Sequence, residues 1–279
     1  MGSVACHRLQ QAGFSVAALY HQHPAASLQR QLITPQGVNL HLELPLHTRQ
    51  TGAAIQRLLV ATKGGDTVDA LEPWLPLMAE NGEIILLQNG LHTLRGLLLP
   101  PRLRLIYWVT TDGAWKQDDQ VHWVAENESW LGDGHGQPAD WFAALATHWP
   151  RLQWVTDIAF WQWRKLAVNA VINPLTALHR CRNGQLLQQP EYRQQMQQLA
   201  AEVDQVAGRK FPHWPADTLA RSVQVCEQTA NNRSSMVVDV EAGRATEIAF
   251  INGALLAEAQ QLGIALPAHQ NLLTQLAGE

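Results

Sequence analysis

The sequence predicts an α/β first half followed by an all-α second half, and three observations carry that reading. Short β-rich runs alternate with helical periods up to about residue 150, turn signals such as Asn89-Gly90 punctuate them, and from about residue 154 the apolar residues recur at helical spacing with few β-branched runs. Strand, helix, strand in this rhythm implies a mostly parallel, doubly wound sheet with crossover helices. The boundary is placed near Arg151, after His148-Trp149-Pro150, giving domains 1–150 and 151–279.

In chain order, residues 2–11 read as a helix closed by Gly13 and residues 14–19 as a strand. Ile55 to Arg57 lead into L-L-V-A-T-K, a buried strand. Residues 68–78 have a helical period broken by Pro73 and Pro76, and E-I-I-L-L-Q-N-G is a strand ending in a turn. Residues 103–111 continue the pattern, and 122–131 read as an antiparallel strand or hairpin. The second half offers helices at 158–177, 191–208 and 215–229, a segment around 234–247, and a helix at 248–262 closed by Gly263.

Composition narrows the function. A hydrophobic content of 46% with 16% charged residues is that of a soluble globular chain, and a net charge of −4 argues against a nucleic-acid or anionic-membrane partner. The greasiest stretch, 97–109, is broken by Pro100, Pro101, Arg102 and Arg104, so no membrane span is expected. The start, M-G-S-V-A-C-H-R, lacks the basic-then-apolar order of a signal peptide. Cys6, Cys181 and Cys226 stand far apart, which fits a reducing cytoplasm, and the scattered histidines suggest no metal. The eleven tryptophans are spread over 74–214, so packing accounts for them better than a stacking platform.

The segment W-R-K-L-A-V-N-A-V-I-N-P-L-T-A, residues 163–177, is the most informative. Lys165, Asn169 and Asn173 stand four residues apart and share one face of a helix, while Leu166, Ala167, Val168, Ala170, Val171 and Ile172 cover most of the rest. A polar stripe on so apolar a helix is costly unless something polar faces it. A bound ligand would meet that need, and so would bonds to neighbouring loops.

At the amino end, Gly2-Ser3-Val4-Ala5 opens the first helix and Gly13-Phe14-Ser15-Val16 leads to a strand, as a dinucleotide-binding βαβ unit continues after its first strand. Gly2 and Ala5 stand as the second and third small residues of a G-x-G-x-x-G/A fingerprint, whose first glycine and first strand are expected ahead of Met1. By itself G-x-x-A is weak evidence.

Together these motifs resemble the ketopantoate reductase (2-dehydropantoate 2-reductase) family. The resemblance runs through the 163–177 segment, C-R-N-G-Q-L at 181–186, N-R-S-S-M at 232–236 and T-E-I-A-F-I-N-G at 246–253, and more loosely through G-S-V-A, V-A-T-K at 60–63 and L-L-Q-N-G at 86–90. It implies a Rossmann-like domain followed by a helical one, with NADPH and a 2-oxo acid meeting between them. It assigns Lys165 as general acid, with Glu247 near the nicotinamide end bonding ribose hydroxyls or orienting the lysine. Asn169 and Asn173 would hold the substrate's hydroxyl and carboxylate side, Ser235 its carboxylate with Asn232 in support, and Asn183 a secondary loop position. Gly2, Ser3, Val4, Ala5, Lys63 and Asn89 fall on the cofactor side. His21 stands where an arginine for the 2′-phosphate is wanted, and an imidazole is a weaker phosphate partner than a guanidinium. No acidic residue there favours NAD, so NADPH is expected, with Arg30 as a substitute partner.

The resulting expectation is an NADPH-dependent reduction of 2-dehydropantoate to pantoate by a monomer or homodimer. A reductase of a different 2-oxo acid, and a non-catalytic relative that binds a metabolite or partner, are the alternatives.

Overall fold

A computed structural model describes residues 1–19, 27–48 and 54–277. The chain divides into two compact units, one of residues 1–88 and 94–159, the other of residues 89–93 and 160–279. The division falls after residue 159 and not near Arg151, because residues 152–154 form a strand of the first unit.

The first unit opens with α1 (Gly2–Gln11), closed by Gly13 at φ +86. Of the expected strand at 14–19, β1 (Ala18–Leu19) is the part laddered, and its partner among the described residues is the end of β3 (Asn39–His47). An antiparallel hairpin of β2 (Ser27–Ile33) and β3, not anticipated from the sequence, follows. Next come β4 (Ile55–Val60), α2 (Thr67–Leu71) and a 3-10 segment, Glu72–Leu77, into which Pro73 and Pro76 turn the expected helix. β5 (Met78–Leu86) and β6 (Arg104–Thr110) complete a parallel β4-β5-β6 core, with Leu58 opposite Ile84 and Ile85 opposite Ile106. The hairpin of β7 (Gly113–Gln117) and β8 (Gln120–Ala125) joins β2, while β9 (Ser129–Gly132) runs antiparallel to β6. After the short α3 (Phe142–Ala146), β10 (Leu152–Trp154) pairs with β9.

The strand orders are β1-β3-β2-β8-β7 and β10-β9-β6-β5-β4. Along β5, Ile85 belongs to one apolar cluster and Ile84 and Leu86 to another, so both faces of the parallel core are covered. Trp108 and Trp149 meet edge to face at 4.8 Å inside the first cluster, which bears out packing as the use of at least these tryptophans.

The second unit is helical: α4 (Ile158–Leu178), α5 (Gln185–Gln188), α6 (Pro190–Lys210), α7 (Thr218–Gln228), α8 (Ser235–Glu241), α9 (Ile248–Gln261) and α10 (Pro267–Ala277). One apolar core joins α4, α6 and α9 through Leu166, Val171, Leu199, Val203, Ile251 and Leu255. Pro174 lies inside α4 and has no N–H for the carbonyl of Ala170. That carbonyl instead accepts the side-chain amide of the wholly buried Asn252 on α9, at 2.9 Å. The bond explains how α4 runs through a proline, and it anchors α9 against the middle of α4.

Candidate active site

Along α4 the residues flanking the stripe are buried, including Leu166, Ala167, Ala170, Val171 and Ile172, whereas Lys165, Asn169 and Asn173 are each half-buried. The helix therefore opens along the face that the four-residue spacing marks. Neither carboxamide side chain of Asn169 or Asn173 makes a hydrogen bond among the described residues. Arg164, the neighbouring cation, has the opposite fate. It is 6% exposed, forms a two-pronged ion pair with Asp217 at the start of α7, and lies 5.0 Å from the Trp214 ring. The guanidinium holds the Asp217 carboxyl below the usual carboxylate range. It fixes the beginning of α4, and Lys165, one residue on, is the cation that lies on the stripe itself.

Two further elements are brought to α4 by hydrogen bonds. Thr176 Oγ1 lies 2.9 Å from the Asn173 carbonyl and 2.7 Å from Ser234 Oγ, docking the start of α8 at the far end of the stripe. Ser234 also caps α8 by accepting the Val237 N–H at 3.2 Å. Ser235, one residue later, is exposed, so its hydroxyl remains accessible. Asn232 is exposed, while its backbone carbonyl accepts the N–H of Asn183. Asn183 is the departure from expectation: it is 7% exposed and its amide nitrogen donates to Thr229 Oγ1 at 2.8 Å, which spends that group on holding the loop.

At the start of α9, Glu247 Oε2 accepts the Asn89 amide at 3.1 Å. Asn89 is carried by residues 89–93, which belong to this helical unit. This strap lies along α9: the Leu91 N–H donates to the Phe250 carbonyl at 2.9 Å, and His92 Nε2 sits 2.9 Å from Glu258. Gly90 is obligatory here. Its φ is +79, and a Cβ would stand 2.4 Å from the Phe250 carbonyl oxygen. The strap and its anchors at His92 and Glu258 were not visible as site-supporting residues in the sequence, since nothing local marks a contact across 158–166 positions.

In the first unit, Lys63 is exposed on the loop after β4, at the carboxyl end of a parallel strand. At the start of α1, Gly2 packs so closely that a Cβ would meet that of Ala61 at 2.9 Å. Ser3 is half-buried, whereas Val4 and Ala5 are core residues, and the Ala5 N–H is taken by the Met1 carbonyl at 3.0 Å. Ala5 thus serves as a small packing residue rather than as a donor. No acidic residue and no side-chain cap occupies the first turn, which leaves it fit for an anionic group. His21 lies outside the described residues. No group of three or more potential metal ligands occurs among the described residues, and no helix there is long and apolar enough to cross a membrane.

An α/β unit with helices over its parallel core, joined to a helical unit bearing an open lysine and asparagine stripe, is the framework of a two-domain α/β oxidoreductase. Comparison with known proteins makes the class specific. The family model for ketopantoate reductase matches residues 1–136, and the model for its C-terminal domain matches residues 157–278. A 2-dehydropantoate 2-reductase from Shigella flexneri is 37% identical over 77% of this chain and 71% of its own. One from Archaeoglobus fulgidus is 30% identical over 100% of this chain and 94% of its own. A D-mandelate dehydrogenase, solved with NADH and anilino(oxo)acetate, superposes with a TM-score of 0.86 at 20% identity, covering 100% of this chain and 94% of that one. The chain belongs to the ketopantoate reductase family.

Proposed function

We propose that the protein reduces 2-dehydropantoate to pantoate, with NADPH as reductant and Lys165 as general acid. The observation that carries this reading is the opening of α4 along Lys165, Asn169 and Asn173, opposite a face buried through Leu166, Ala167, Ala170 and Val171. Members of this family are dinucleotide-dependent reductases, and a reduced nicotinamide supplies a hydride to the ketone carbon when bound. The residues present suit such a cofactor: the uncapped first turn of α1 offers Gly2, Ser3 and Val4 N–H groups to the pyrophosphate, and Lys63 a cation.

Lys165 donates a proton from its ammonium to the C2 carbonyl oxygen as that oxygen gains charge, leaving a neutral amine that water reprotonates. Asn169 and Asn173 hold the substrate's hydroxyl and carboxylate side through amides that have no other bond among the described residues. Ser235, exposed at the start of α8, donates its hydroxyl to the carboxylate, and Asn232 supports it. Glu247 orients the Asn89 amide that it accepts. The unshared thiols Cys6, Cys181 and Cys226 support a cytoplasmic setting.

Steady-state turnover on a panel of 2-oxo acids, with NADPH and NADH in parallel, tests the reading. 2-Dehydropantoate with NADPH should give the highest kcat/KM, and 2-oxo acids without the C4 hydroxyl should lose about 10-fold or more through an unpaired asparagine amide. Equal or better turnover of acids lacking that hydroxyl would refute the substrate assignment.

A further inference from the structure

His92 holds a backbone conformation that its side chain does not favour. Its φ is +59, in the left-handed region that glycine, and less often asparagine, adopts at little cost. A residue stays there when its surroundings hold it. For His92 the polar contact that does so is with α9, where its Nε2 stands 2.9 Å from Glu258 Oε1. Glu258 is 7% exposed, so both of its oxygens need partners, and Lys210 at the end of α6 takes the other one. The Lys210 ammonium in turn lies 5.4 Å from the Trp163 ring on α4, two residues before Lys165. An imidazole, a carboxylate and an ammonium thus tie the strap of residues 89–93 to three helices, all within the helical unit.

The strap needs such a grip. The chain enters it from residue 88 and leaves it at residue 94, both in the first unit. At its head, the Asn89 carboxamide has its nitrogen on Glu247 Oε2, while its oxygen makes no hydrogen bond among the described residues and stays open to a donor. We propose that His92 is a positioning residue: by gripping Glu258 it holds the strap on α9 and so keeps the open carboxamide oxygen of Asn89 in place for a donor of the nicotinamide cofactor. His92 acts through Asn89 and not on the reacting atoms. The cofactor end of this chain of contacts rests on the NADPH-dependent function proposed above, whereas the grip itself does not.

Three variants of the full chain separate the grip from the backbone conformation. Glycine and asparagine suit a φ of +59 better than histidine does, but His92→Gly has no side chain and the amide of His92→Asn falls short of Glu258. His92→Gln suits that φ no better than histidine, yet its amide nitrogen reaches about as far as Nε2 and can donate to the carboxylate. Backbone strain therefore ranks Gly and Asn above Gln, and the grip ranks Gln above both. The Leu91 N–H, bonded to the Phe250 carbonyl, reports strap release by its amide exchange, measured against that of the wholly buried Leu255 inside α9. NADPH affinity is read from nicotinamide fluorescence, and urea unfolding midpoints are taken on the same preparations. His92→Gly and His92→Asn should speed relative Leu91 exchange by about 10-fold and raise the NADPH Kd by roughly 3-fold or more, with the urea midpoint close to that of the parent. His92→Gln should restore both exchange and affinity. Unchanged Leu91 exchange in the Gly and Asn variants, or faster exchange with an unchanged Kd, would overturn the proposal. A parent chain that binds no NADPH contradicts the cofactor reading instead, and the Leu91 rates still decide whether His92 holds the strap.

Discussion

Helices α4 and α9 of the helical unit are both apolar and both carry asparagines, yet those asparagines meet opposite ends. Asn252 on α9 is wholly buried and its amide is bonded to the Ala170 carbonyl that Pro174 releases. Glu258, on the same helix, is 7% exposed and bonded to Lys210 and His92. On α4, by contrast, the half-buried Asn169 and Asn173 have carboxamides with no hydrogen bond among the described residues, on the face that also carries the half-buried Lys165. A polar group inside an apolar helix is therefore part of the fold when its partner comes from the fold, and a candidate for ligand when the packing stops in front of it.

Mutations can break that comparison. The largest expected effect is on the open stripe: Lys165→Ala should lower kcat by roughly 10²-fold or more, as for a lost general acid, and leave the melting temperature nearly unchanged. Asn252→Ala should do the reverse. It orphans a buried carbonyl at a cost of about 1–3 kcal/mol, visible in urea unfolding, while kcat per folded molecule stays close to the parent value. Stability loss from Lys165→Ala with full turnover would invert the assignment.

Ser234 and Ser235 repeat the contrast on adjacent residues. Ser234 is buried, caps α8 and bonds Thr176 Oγ1, so Ser234→Ala should cost about 1 kcal/mol of stability. Ser235→Ala should leave stability within roughly 0.5 kcal/mol and raise the substrate KM, measured by unfolding and initial rates on the same preparation.

The effect confined to one pH interval concerns a buried group outside the helical unit. Burial pushes the Asp112 carboxyl up to about 6, against the help of its bond from the Asn127 N–H at 2.6 Å. The folded chain thus keeps a proton that the unfolded chain releases near pH 4, so this residue's contribution falls as pH rises from about 4 to about 6 and is level above that. Asp112→Asn should flatten the melting temperature across that interval. An unchanged slope would show that the group is not the one titrating.

The same contrast explains what could be read from residues alone. The α4 stripe was legible because its signal is local: three polar residues at a fixed helical step, and the helix observed at Ile158–Leu178 differs by one residue from the expected end. The β2–β3 hairpin has a local signal of its own, Leu40, Leu42, Leu44 and Leu46 alternating with His41, Glu43 and Pro45 after Pro35-Gln36-Gly37. α10 likewise begins at Pro267, a helix-starting position. Other features had no local signal. That β10 pairs with β9 and moves the division past residue 159, that residues 89–93 belong to the helical unit, and that Asn252 sustains Pro174 all depend on contacts far apart in sequence. Arg164 and Lys165 look alike in the sequence, and the buried ion pair with Asp217 is what places Arg164 in the fold. Family resemblance marks the exposed hydroxyl of Ser235 and says nothing of the buried cap at Ser234.

The account turns on Lys165 as the proton donor to the ketone oxygen. Its most direct test is kcat of Lys165→Ala at saturating 2-dehydropantoate and NADPH, with and without added small primary amines. The account predicts a fall of roughly 10²-fold that amines partly restore in proportion to their acidity. Turnover near that of the parent, or a loss that no amine restores while substrate and cofactor still bind, would contradict it.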